Sequence, residues 1–207
     1  MINNKNIFIN MLPDSPIEDL VFYCQIIKRK KDHPGLDGRN NSARLVKPYY
    51  FACKDDMEKR WEEMVAISEA TGARIMMDCF CKSKNKVKFE MLSRLADIFK
   101  TGNDAKLHRL YNTCYGSMPA EKDYKSFLID WDDKDTSQLD GIIEMIRLDG
   151  DDLQILHKIP TRQGWHYIMK PFNLMKFKTK FIDLEMVVPD IHKTSPSLVY
   201  IPKSLGL

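Results

Sequence analysis

No stretch of this chain approaches the roughly 18 to 20 uncharged apolar residues that a membrane span needs. Its start, MINNKNIFINMLPDSP, has no basic segment leading into an apolar one. Neither a transmembrane segment nor a signal peptide is therefore expected, and the setting reads as cytoplasmic. Cysteine is sparse: five residues, an odd number, with no C-x-x-C, which argues against a disulfide framework and against a zinc ribbon. Cys79 and Cys81 in CFC fall on one face of a strand and read as reduced thiols. A dominant charge is missing too, since 32 Lys and Arg stand against 29 Asp and Glu; a net charge of +3 permits an anionic partner without requiring one. Repeats, low-complexity tracts and long linkers are all absent. The remaining picture is one globular domain over residues 1–207, 43% hydrophobic, with a core to bury.

Apolar periodicity and punctuation divide the chain into elements. SPIEDLVFYCQIIKRKK predicts a first helix, with Ser15 as N-cap, Pro16 at the first helical position, Glu18 closing a capping box and basic residues at the end. After a polar loop, DHPGLDGRNNSAR, come a strand VKPYYFAC, a helix KDDMEKRWEEMVAISEATG stopped by Gly72, and a strand ARIMMDCF. KFEMLSRLADIFKTG is a further amphipathic helix, and LHRLYNTCYGSMP is ambiguous. Residues 124–207 alternate as well: strand YKSFLID, helix SQLDGIIEMIRLDG, strand LQILHKI, turn PTRQG, strand WHYIMK, a helix LMKFKTKF capped by Asn173, and strands LEMVVPDIH and SLVYI. The fold class is α+β: a small sheet with helices on one face in residues 124–207, beside an N-terminal α/β unit in 1–123. The sheet's other face is expected to be open for a site.

Side chains alternate along strands, so residues two apart share a face. In SFLIDWD, Phe127, Ile129 and Trp131 suit the helix-covered side, while Asp130 and Asp132 fall together on the other. In GWHYIMK, Trp165, Tyr167 and Met169 alternate with Gly164, His166, Ile168 and Lys170; in MVVPDIH, Val188, Asp190 and His192 share a face. Two carboxylates two residues apart can hold hard divalent cations, and a third from a neighbouring strand would complete the site. Each motif also has a plain structural reading. FLIDWDDKD precedes a helix, whose N-terminus favours carboxylates; PTRQG is a good hairpin turn; a lone strand histidine is commonly a structural hydrogen-bonder. What points to a site is the conjunction of D-x-D, G-x-H and a later Asp on one face.

That order resembles the catalytic core of the archaeo-eukaryotic primase superfamily, whose pattern is a D-h-D strand, a small-x-H strand and a later strand ending hydrophobic-Asp. The match spans about residues 124–193, a third of the chain, with Asp130 and Asp132 in IDWD, His166 in GWH and Asp190 in VVPD, Asp183 being an alternative for the last role. Gly164 stands where a serine is common. The resemblance implies an RRM-like sheet and a primase-polymerase site, in which aspartates bind Mg2+ or Mn2+ and the histidine contacts the incoming nucleotide.

Other basic residues offer phosphate contacts. Arg162, Lys170 and Lys193 flank the proposed site and could neutralise a triphosphate or a template backbone, and Arg74 begins a strand from which it could reach a phosphate; solvated surface or a salt bridge is the alternative for each. KRKKDH and KSKNKVK concentrate positive charge in the same two-sided way. GLDGR lacks the lysine nucleophile of the K-x-D-G ligases, because Gly35 stands two residues before Asp37, and reads as a turn. The leading expectation is a metal-dependent nucleotidyltransferase acting on nucleoside triphosphates and nucleic acid. The alternatives are a non-catalytic nucleic-acid-binding module and a metal-dependent nuclease with His166 as base.

Overall fold

The computed structural model describes residues 2–35 and 43–205. Most of GLDGR, and the loop that contains it, lies outside the described residues. The first sheet is built around β1 (Leu20–Arg29), which corrects the expected N-terminal helix. The chain turns at Asp19, whose φ of 66° is left-handed, and whose carboxylate accepts hydrogen bonds from Ser83 Oγ at 2.5 Å and Asn85 N–H at 2.6 Å. Beyond it, LVFYCQIIKR is rich in β-branched and aromatic residues. Val21 and Tyr23 pack on one face, and Phe22, Cys24 and Ile26 on the other. A strand covered on both faces loses its polar alternation and resembles a buried helix, which is why the capping signals at Ser15 to Glu18 misled.

β1 lies between β2 (Ala43–Phe51) and β3 (Arg74–Ser83), antiparallel to both. The fourth strand, β8 (Pro196–Tyr200), comes from the C-terminal end and pairs with β3, giving the order β2-β1-β3-β8. A short helix that the sequence did not announce, α1 (Lys5–Met11), packs with α2 (Lys54–Thr71) on the Phe22 face through Phe8, Ile9, Met57 and Met64. Gly72 ends α2 at φ 62°. On the Tyr23 face lie α3 (Lys84–Thr101) and α4 (Leu110–Ser117), the latter resolving the ambiguous LHRLYNTCYGSMP. No helix among the described residues is long and apolar enough to cross a membrane.

The second sheet follows the expected order: β4 (Phe127–Trp131), α5 (Ser137–Leu148), β5 (Ile155–Pro160), β6 (Trp165–Met169), α6 (Leu174–Asp183) and β7 (Asp190–His192). Its strands pair antiparallel as β5-β6-β4-β7, the arrangement of a β-α-β-β-α-β, RRM-like sheet. Asn173 caps α6, its Oδ1 accepting from the N–H groups of Met175 at 3.1 Å and Lys176 at 3.2 Å. Ile129, Trp131, Tyr167 and Met169 are buried beneath α5 and α6. The opposite face was expected to be open and is not. Leu128, Ile159 and Ile168 join the core of the first sheet, and Asn4 Nδ2 ties the two sheets by donating to the carbonyls of Pro160 and Leu198, each at 2.9 Å.

Candidate active site

The β4 ladder sets the polar residues opposite one another. Asp130 is the register partner of His166 on β6 and of Asp190 on β7, so all three stand at one level of three adjacent strands. His166 Nε2 lies 3.3 Å from Asp130 Oδ1, and His166 Nδ1 lies 2.7 Å from Ser197 Oγ on β8. The Asp130 carboxyl is held below its ordinary range, chiefly by the His166 hydrogen bond working against burial, with the charges of His166, His192 and Arg29 adding to it. It is therefore ionised at neutral pH and acts only as an acceptor.

The aspartates of FLIDWDDKD divide into two groups. Asp133 Oδ1 accepts from Asp135 N–H at 3.0 Å and Asp135 Oδ1 from Ser137 N–H at 2.9 Å, which is turn and helix-entry chemistry. Asp130 faces His166, while Asp132 and Asp190 are exposed, and neither side chain makes a hydrogen bond or ion pair among the described residues. Asp130, Asp132 and Asp190 line one cavity of about 540 Å³, with Gln138 and an apolar wall of Met186, Val187, Val188 and Pro189. Asp133 lines it as well, with its carboxylate engaged in the turn, whereas Asp183, at the end of α6, does not, so of the two aspartates considered for the last role it is Asp190 that reaches this cavity.

The expected phosphate contacts fare unevenly. Arg162, in the exposed turn between β5 and β6, shares an opening of about 640 Å³ with Asp132. Lys170 lies just past the end of β6, four residues beyond His166 and about 13 Å away at the rise of a β-strand. Lys193 belongs to the other side: its Nζ sits 5.9 Å from the centre of the Phe127 ring, which packs toward the helices against Phe172. Its parity in the ladder is that of Ile191, not Asp190. Arg74 is consumed structurally. Its guanidinium pairs with Asp32 at 2.6 Å, both side chains at most 10% exposed, leaving no charge to offer a phosphate. Two contributors escaped the sequence reading, Ser197 and Arg29, while His192 was placed on the face of Asp190 without a role. Arg29 belongs to the basic run KRKKDH, a visible signal that was assigned to a helix end.

Among the described residues, no three His, Cys, Asp or Glu side chains already stand as a metal-binding group. The donors nevertheless suit one in kind. Directly opposed residues in an antiparallel pair have Cβ atoms about 4.5–5.5 Å apart, so the Asp130 and Asp190 carboxylates lie within reach of one ion. Asp132 and Asp190 are unpartnered and able to turn, and an all-carboxylate set matches hard divalent cations. Scans against protein-family models, curated proteins and solved structures gave no match for this chain.

Proposed function

We propose that the chain is a metal-dependent nucleotidyltransferase of primase-polymerase type, acting on nucleoside triphosphates and a nucleic-acid template. The observation that carries this reading is the alignment of Asp130, His166 and Asp190 across three strands, with Asp132 opening on the same cavity. Mg2+ or Mn2+ held by Asp130, Asp132 and Asp190 would supply activation of an attacking 3′-hydroxyl and charge neutralisation on the leaving pyrophosphate. The remaining work falls to the chain. Asp130 stays ionised through its contact with His166. His166 offers an N–H to a phosphate oxygen, and Arg162 offers a planar fork at the cavity's outer side. The wall of Met186 to Pro189 keeps one side of the site apolar.

Two observations bear on the alternatives. A base-stacking module displays aromatic rings on an accessible face, whereas Trp131 and Tyr167 are buried against the helices. A nuclease using His166 as base needs an unprotonated ring nitrogen on the cavity side, whereas Nε2, facing the Asp130 carboxylate, carries a hydrogen and Nδ1 is turned to Ser197. The test is incorporation of nucleotides on a single-stranded template, with and without primer, in Mn2+. Extension by the parent, reduced about 100-fold or more in Asp130→Asn and Asp132→Asn, is expected. Template degradation without extension would establish the nuclease instead, and no product at all would remove the catalytic reading.

A further inference from the structure

His166 is gripped by both sheets. Asp130, its neighbour on β4, presents a carboxylate, which only accepts, so the hydrogen in their 3.3 Å contact resides on Nε2. In a neutral imidazole the other nitrogen is then an acceptor. Its contact, at 2.7 Å, is Ser197 Oγ, which carries a proton to give. The chain of bonds therefore runs from the Ser197 hydroxyl to Nδ1, and from Nε2–H to Asp130. We propose that Ser197 is a positioning residue: from β8 of the first sheet it fixes His166 in the Nε2–H tautomer and aims that N–H at the carboxylate cluster.

The order Asp, His, Ser is that of a nucleophilic triad, but the geometry reverses the roles. Ser197 is 0% exposed and opens on no substrate, whereas Asp130 lines the cavity. Serine is the anchor and aspartate the working end. Once a cation engages Asp130, the Nε2–H keeps its aim and is released to an anionic phosphate oxygen of the nucleotide. This second half rests on the function proposed above; the tautomer does not.

The test is NMR of the full chain at pH 8 without metal, reading the His166 tautomer from its ring-nitrogen shifts in the parent, Ser197→Ala and Ser197→Thr, with melting temperatures to confirm folding. The parent and the threonine variant should hold the Nε2–H form, and the alanine variant a mixture. With Mn2+ present, Ser197→Ala should bind ATP about five- to tenfold more weakly, the worth of one hydrogen bond, while its thermal response to Mn2+ alone stays that of the parent. An Nδ1–H tautomer in the parent, or a tautomer unchanged in Ser197→Ala, overturns the proposal. A changed tautomer with unchanged ATP affinity overturns its second half. A changed tautomer in a protein whose parent binds no ATP sinks the proposed function while Ser197 keeps its positioning role.

Discussion

Asp78 stands on β3 beneath α3 and α4, 6% exposed, with the Tyr115 hydroxyl 3.4 Å from Oδ2. Burial pushes its carboxyl up to about 7, and the nearby Lys82 ammonium only partly offsets this. Between its ordinary value of 3.8 and about 7 the folded chain therefore binds more protons here than the unfolded one. Stability attributable to this group falls as pH rises through that window and is level above it. Asp78→Asn does not titrate, so its unfolding free energy relative to the parent should improve steadily from pH 4 to 7 and then plateau. Denaturant unfolding at unit steps of pH measures this, and a constant difference across the window would refute it. At this scale the sequence was informative where chemistry and alternation agreed, as at Asp130, Asp132, His166 and Trp131. It was silent on Asp78 and Ser197, because a polar residue within a strand acquires its role only from what covers that face. Lys193 and Arg74 were named for their charge, yet one ladder step and one aspartate partner decided what each does.

Among the elements, the junction of β4 and β6 holds the site in register, and Gly164 makes it possible. A Cβ there would lie 1.9 Å from the Trp131 carbonyl oxygen and 2.7 Å from the Asp133 nitrogen, both backbone atoms that cannot step aside. Gly164→Ala should therefore destabilise the chain by at least about 1–3 kcal/mol, by denaturant unfolding, as the two strand ends part. Unchanged stability would mean that the strand ends have room to separate. The same position departs from the serine common in the resembling motif, and the close approach gives glycine a local reason. Elements with one solvated face were legible: α2 and α3 with their glycine stops, α5, and α6 with its Asn173 cap. β1 was not, because both of its faces are buried and helix and strand then share one apolar signature.

Across the whole molecule, the two sheets share one core, and the last strand crosses between them. A division at residue 124 parts β8 from its partner strand β3. No local pattern in SLVYI reveals that choice; strand partners are selected by long-range packing. The crossing matters for function, because it brings Ser197 to His166 and closes the sheet face that the sequence had left open. It leaves the carboxylates at a cavity rather than on a flat surface. The central claim is that this cavity binds a divalent cation through Asp130, Asp132 and Asp190, and a thermal-shift series in Mn2+ tests it most directly. Asp132→Asn and Asp190→Asn remove charges that are exposed and unpartnered, so without metal both should melt within a few degrees of the parent. Mn2+ at about 100 times its dissociation constant should stabilise the parent by about 2.7 kcal/mol. Asp183→Asn, outside the cavity, should keep that gain and both cavity variants should lose it; a parent indifferent to Mn2+, or an equal gain in Asp132→Asn and Asp190→Asn, would contradict the account.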